Sequence, residues 1–75
     1  MGLVVTQSLR MKYYRIKMKN TKTGKVWYRS SQQGFEWSPN KEAAWQFSGG
    51  SIKETLKTTR SRQNWPYIII ESEEV

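Results

Sequence analysis

The chain has 75 residues, with 13 Lys or Arg against 6 acidic residues, a net charge of +7 and a pI of about 10.0. It contains no Cys, His or Asp, which excludes disulfides, Cys- or His-based metal sites and His-centred catalytic triads. We therefore predict one small domain that is not an enzyme and holds no cofactor or metal. Its basic charge favours an acidic partner, with nucleic acid the first candidate.

The charge is unevenly distributed along the chain. Residues 1–35 contain eight Lys or Arg and no acid, whereas the last five residues contain three Glu and no base. The longest aliphatic run, residues 68–70, is far too short to span a bilayer, so no membrane association is expected. The first ten residues lack the features of a signal peptide, and the cytoplasm is the expected compartment.

The chain is expected to divide into three parts. Residues 1–11 are predicted to be a loose leader or a short edge strand through Leu3-Val4-Val5. Residues 12–71 are predicted to form a single α+β domain. Residues 72–75 are predicted to be a mobile acidic tail.

Residues 12–19 alternate with a period of two, which indicates a half-buried strand. Tyr14, Ile16 and Met18 are predicted to face inward, and the residues between them outward. Asn20 to Gly24 reads as a turn in which Gly24 suits a positive φ. Residues 25–29 resume a strand and complete a hairpin.

The facing of the second strand follows from the same alternation. Val26 and Tyr28 are predicted to oppose the apolar residues of the first strand. Lys25, Trp27 and Arg29 are then predicted to face outward, although Trp27 is inward if this facing is reversed.

Two short helices are predicted next. Ser38-Pro39 resembles a helix start, and Ala43, Ala44 and Phe47 would face inward from a first helix that ends at Gly49-Gly50. Phe35 and Trp37, just before it, are expected to fold back over the core.

The second helix is predicted to begin at Ser51, which forms a capping box with Glu54, and to run to about Arg62. Its inward residues would be Ile52, Leu56 and Thr59.

The last predicted strand is Tyr67 to Ile70, which is β-rich and apolar on both faces. It most simply pairs antiparallel beside strand 1. The expected fold is therefore α+β, with the order ββααβ. A small antiparallel three-stranded sheet in the order 2-1-3 would be covered by one or two short helices.

The main candidate site is the outer face of the hairpin, where cations are interleaved with aromatic residues. Lys and Arg contact phosphates, and exposed aromatic rings stack on bases. A two-stranded ribbon can also enter a major groove. An ordinary solvated sheet face, with Trp27 covering lysine stems, explains the same pattern. The predicted nucleic-acid-binding residues are Tyr13, Arg15, Lys17, Lys19, Lys22, Lys25, Trp27 and Arg29.

Two further groups of residues have both a functional and a structural explanation. One is a basic group on the second helix, which could extend a basic patch or could simply suit the helix dipole: Lys53, Lys57, Arg60 and Arg62. The other is Trp37, Trp45 and Trp65, which could be protein-binding anchors or, for at least two of them, core residues.

The segments YYRIKMKN, GKVWYRS and FEWSPNKEAAWQFSGGSIKETL resemble small proteins encoded by tailed bacteriophages and prophages. The resemblance spans about residues 12 to 70 and contains no diagnostic motif, so no site residue is transferred from it. It implies an accessory factor in a bacterial cytoplasm that binds nucleic acid or binds and inhibits a host protein.

Two hypotheses follow. The first is a non-enzymatic module that binds DNA or RNA phosphates through the hairpin face, with little dependence on base sequence. The second is a phage-encoded protein that binds and inhibits or redirects an acidic host protein. Either could act as a monomer or as a homodimer formed through an edge strand.

Overall fold

The structure is a computed structural model that describes residues 12–75. The predicted leader or edge strand at residues 1–11 lies outside the described residues. The elements in chain order are β1 (Tyr13–Asn20), β2 (Val26–Arg29), β3 (Trp37–Ser38), a 3-10 turn (Lys41–Ala43), β4 (Phe47–Ser48), α1 (Ile52–Arg62) and β5 (Ile68–Glu74).

The fold is α+β with an antiparallel sheet, as predicted, but within residues 12–75 the sheet has five strands instead of three and is accompanied by one α-helix. Strand β1 is central. It pairs with β5 along almost its whole length, while β2 and β4 share its other edge and β3 extends the sheet beyond β2. The three long strands therefore lie in the order β2-β1-β5.

The hairpin forms where the alternation indicates. Gly24 has a φ of 77°, the positive value expected for its place in the turn. The side-chain oxygen of Asn20 accepts hydrogen bonds from the backbone N–H groups of Lys22 and Thr23. This turn therefore satisfies its own backbone donors, as Asn commonly does at such positions.

The predicted first helix is wrong. After Pro39 the chain makes only one 3-10 turn, capped by Asn40, and then enters strand β4. The apolar spacing of Ala43, Ala44 and Phe47 imitates a helix, but the backbone N–H of Trp45 donates to the carbonyl of Arg29 and holds this segment against β2. Phe47 is buried as predicted, although it reaches the core from a strand.

Helix α1 occupies the predicted range and directs Ile52, Leu56 and Thr59 toward the sheet. The predicted capping box does not form, because the Ser51 hydroxyl lies against Ser48 instead of the helix N-terminus. Arg60 donates to the carbonyl of Ile70 and so links the helix to β5.

The core lies between α1 and one face of the sheet, here called the inner face. Four hydrophobic residues among the described part of the chain are buried: Ile16, Met18, Phe47 and Ile70. Five more pack around them: Trp27, Trp37, Ile52, Leu56 and Ile68. Ile69 is half exposed on the opposite, outer face, so two of the three consecutive isoleucines point inward, as predicted.

The mobile acidic tail is also a wrong prediction. Strand β5 continues through Glu74, and within the predicted tail Glu73 lies opposite Arg15 and Glu74 opposite Tyr14 of β1. Arg15 pairs with Glu73, and Lys17 with Glu71, in the strand register. The acidic end of the chain is therefore part of the sheet.

Candidate functional site

The register of the hairpin reverses the predicted facing of β2. Met18 lies directly opposite Trp27, and Lys17 lies opposite Tyr28. Because opposite residues of an antiparallel pair point to the same side, Trp27 shares the inner face with Met18, and Tyr28 shares the outer face with Lys17. The predicted pairing of Val26 and Tyr28 with the core is therefore wrong.

Trp27 does not belong to an exposed basic surface. It packs against the buried cluster and is only partly accessible. The alternative in which Trp27 faces inward is the one that the structure shows. Its indole ring packs on the core, on the side of the sheet opposite to Lys17 and Tyr28.

Arg29 is 3% exposed, so it is a buried cation and not a surface contact. Its guanidinium donates to the carbonyls of Ser31, Gln32 and Gly34 and to the hydroxyl of Thr59 on α1. Burial lowers the pKa of Arg29. These bonds give Arg29 a structural role, because it fixes the loop after β2 against the helix.

Arg15 and Lys17 lie on the outer face as predicted, but their charges are compensated. The Nε of Arg15 is 2.5 Å from a carboxylate oxygen of Glu73. The Nζ of Lys17 lies 3.4 Å from Glu73 and 3.5 Å from Glu71. Lys12 also approaches Glu74, at 3.8 Å.

The electrostatics of this cluster agree with its geometry. The hydrogen bond from Arg15 lowers the pKa of Glu73, with partial burial opposing the shift and Lys17 adding to it. Partial burial also opposes any rise in the pKa of Lys17, but the charges of Glu73 and Glu71 outweigh it and raise that pKa. The middle of the outer face is therefore an ion-pair network and not an uncompensated basic patch.

Tyr13 lies at the start of β1 and is 41% exposed. It pairs in register with Ser48 of β4, and its carbonyl accepts a hydrogen bond from Val75. It therefore lies at the opposite end of β1 from the hairpin turn.

Three of the predicted site residues remain as exposed cations: Lys19, Lys22 and Lys25. All three lie at or beside the hairpin turn. Within residues 12–75, none of them lies in an ion pair with a carboxylate. The accessible positive charge of the hairpin is thus concentrated at one end of the sheet.

The loop before β5 brings exposed aromatic residues to the same end. The Tyr67 ring is 4.3 Å from the Nζ of Lys22, and the Tyr67 carbonyl accepts hydrogen bonds from the backbone and hydroxyl of Thr21. Tyr67 and Trp65 are 57% and 56% exposed. We refer to Lys19, Lys22, Lys25, Trp65 and Tyr67 as the hairpin end.

Neither Tyr67 nor Trp65 is among the predicted nucleic-acid-binding residues, although Trp65 is one of the three candidate protein-binding anchors. The sequence predicts Tyr67 as part of the last strand, whereas it precedes that strand with a φ of 64°. Such a backbone conformation is unusual for a bulky residue and costs on the order of 1–3 kcal/mol. The available signal in the sequence is Pro66, which favours a turn between Trp65 and Tyr67.

The other predicted Trp positions divide as follows. Trp37 packs against the core, and Trp45 is 43% exposed on the segment between the 3-10 turn and β4.

Among residues 12–75, no helix has the length and apolar character needed to cross a membrane. Comparison of the chain with protein-family models, curated proteins and solved structures finds no significant match.

Proposed function

We propose that the protein is a nucleic-acid-binding module that contacts DNA or RNA phosphates through the hairpin end. The observation that carries this proposal is the concentration of three exposed lysines, without carboxylate partners among residues 12–75, beside the exposed ring of Tyr67. The exposed Trp65 lies two residues earlier in the chain. Cations that contact phosphates release counterions, and this release drives association largely independently of base sequence.

The aromatic residues support single-stranded nucleic acid as the better ligand. The Tyr67 ring is exposed, while its backbone is held by two hydrogen bonds from Thr21. A ring presented on a fixed backbone can stack on an unpaired base, which is worth about 1–3 kcal/mol per base. Trp65 lies two residues away, within about 7 Å along the chain, so both rings could serve one short strand.

The proposed binding site is smaller than the whole outer face of the hairpin. Arg15 and Lys17 are engaged with Glu73 and Glu71, and Arg29 and Trp27 stabilise the fold. Nucleic acid can contact the hairpin end without breaking any of these interactions. We place this activity in the cytoplasm, where such a basic module has access to nucleic acid.

The test is a salt titration of binding to labelled single- and double-stranded oligonucleotides by fluorescence anisotropy. The binding variant replaces Lys19, Lys22 and Lys25 with Gln. The matched control replaces Lys41, Lys53 and Lys57 with Gln, which removes the same charge from exposed positions elsewhere in the fold.

The hairpin-end variant is expected to bind more weakly and to reduce the salt slope by about 2–3, since each phosphate contact contributes about 0.7–0.9 to it. The control variant is expected to keep most of the binding affinity and most of the salt slope. Equal losses in the two variants, or no binding by the natural protein at low salt, would overturn the proposal.

A further inference from the structure

A second feature of the fold lies away from the hairpin end, in an open cleft of about 310 Å³ between the loop after β2 and helix α1. The cleft is lined on the loop side by Gln33 and Phe35 and on the helix side by Glu54, Thr58 and Arg62. Arg29 contributes to its floor. We refer to it as the arginine cleft.

Two guanidinium groups converge on this cleft. The Arg29 and Arg62 guanidiniums lie 4.8 Å and 5.2 Å from the centroid of the same Phe35 ring. Two positive charges that line one cleft raise its electrostatic potential. An anion bound in the cleft would compensate part of that charge.

The positive charge of Arg29 has no carboxylate partner within residues 12–75. Its hydrogen bonds go to three carbonyls and to Thr59, which are neutral acceptors. A buried cation is normally paired with an acid, because removing a charge from water is costly. The lowering of the pKa of Arg29 by burial is consistent with this lack of compensation.

The rest of the lining suits a small anion that accepts several hydrogen bonds. Arg62 is exposed and its guanidinium can donate outward, while Thr58 and Gln33 offer a hydroxyl and an amide at the rim. Glu54 is the one carboxylate among the described lining residues, so the local charge stays positive. A phosphate group carries about −1.5 to −2 charges near neutral pH, which two guanidiniums offset.

We infer that the arginine cleft binds a phosphate group, held by Arg62 and Thr58 above the buried charge of Arg29. The group could come from free phosphate or from the terminal phosphate of a larger molecule. This inference does not depend on nucleic-acid binding at the hairpin end, because the two sites share no residue.

The test is a titration of the ¹⁵N-labelled protein with inorganic phosphate at constant ionic strength, followed by amide chemical shifts. Saturable shifts are expected for residues 32–35 and for Thr58 and Arg62. Constant ionic strength matters because phosphate also stabilises proteins non-specifically by exclusion from their surface. Shifts that never saturate, or that spread over the whole surface, would overturn the inference.

Three variants sharpen the result. Arg62→Gln is expected to weaken phosphate binding about tenfold or more, the loss of a charge-assisted hydrogen bond. Lys57→Gln removes the same charge from the same helix outside the cleft and is expected to bind normally. Glu54→Gln is expected to strengthen binding. Equal affinities for the Arg62 and Lys57 variants would contradict the assignment.

The source of the phosphate is distinguished with two otherwise identical oligonucleotides, one with a 5′-phosphate and one without. Cleft shifts caused only by the phosphorylated strand indicate a terminal phosphate, and shifts caused only by inorganic phosphate indicate a free anion. The variant with Gln at positions 19, 22 and 25 is expected to keep phosphate binding at the cleft. The two proposals can therefore fail separately.

Discussion

Arg15 and Glu73 join strands β1 and β5 through a hydrogen-bonded ion pair in which Nε and Oε1 are 2.5 Å apart. The two residues are directly opposite each other in the β1–β5 register and are 58 positions apart in the chain. Lys17 reaches the second oxygen of the same carboxylate, so one Glu satisfies two cations.

The first prediction concerns acid stability. Because the pKa of Glu73 is lowered in the folded state, its contribution is present above its unfolded value near 4.5 and is lost as the pH falls through the folded value. Glu73→Gln is expected to lower the free energy of unfolding at pH 7 by about 1 kcal/mol. It is also expected to flatten the loss of stability below pH 4.5.

Urea denaturation between pH 2 and 7 measures both effects of Glu73→Gln. Glu36→Gln is the control, since Glu36 is exposed and lies outside the ion-pair network. A variant at position 73 with the same acid dependence as the natural protein would contradict the assignment.

The second prediction tests the reversed facing of β2. Trp27→Ala is expected to destabilise the domain by about 3 kcal/mol or more, because it removes a large ring from the core. Val26→Thr, on the outer face of the same strand, is expected to cost less than about 1 kcal/mol. Thermal unfolding followed by circular dichroism compares the stabilities of the two variants. The facing predicted from the sequence requires Val26→Thr to be the more destabilising substitution.

The third prediction separates stability from binding at Tyr67. Tyr67→Gly removes the exposed ring and relieves the positive φ, so the fold is expected to keep its stability or gain about 1 kcal/mol. Oligonucleotide affinity is expected to fall by about 1–3 kcal/mol for the lost stacking. Tyr67→Phe retains the ring and should bind nearly normally; a Gly variant that binds as well as the Phe variant would exclude stacking at this position.

The fourth prediction concerns the end of β5. Deleting residues 72–75 is expected to unfold the domain or greatly destabilise it, since it removes the pairing of Ser72, Glu73 and Glu74 with β1. Amide hydrogen exchange reports the change as lost protection along β1. Replacing only Val75 by Ser is the control, and a truncated protein with normal protection would contradict the role of this segment.

The parts of the fold that depend on local pattern were predictable from the sequence. The alternation around Ile16, the turn at Gly24 and the extent of α1 are each encoded within one short segment. These features need no knowledge of what lies elsewhere in the chain. Their agreement with the structure reflects strong periodicity and turn chemistry.

The facing of β2 was not predictable in the same way. In its four residues, VWYR, Val26 and Tyr28 point to one face and Trp27 and Arg29 to the other. Each face therefore has one aromatic ring, and the pattern does not show which face is buried. Arg29 can be buried only because the loop after β2 supplies carbonyls and α1 supplies Thr59. These partners come from other parts of the chain, so the sequence of β2 alone cannot predict that Arg29 is buried.

The pairing of residues 72–75 was also not predictable from their own sequence. Their composition taken alone resembles a solvated segment, and their partners lie in β1. The same pairing changes the candidate site, because it neutralises Arg15 and Lys17. Lys19, Lys22 and Lys25 remain as the part of the predicted site that is exposed without a carboxylate partner among residues 12–75.

The central position of β1 has a consequence for how the domain forms during synthesis. Among residues 12–75, one edge of β1 is filled by β5, which follows every other described strand in the chain. Until β5 is synthesised, the apolar face around Ile16 and Met18 lacks Ile70, and Arg15 and Lys17 lack their carboxylate partners. Because the β1–β5 pairing is distant in sequence, it is expected to form late. Before it forms, the chain exposes more apolar surface and more uncompensated positive charge than the folded domain does.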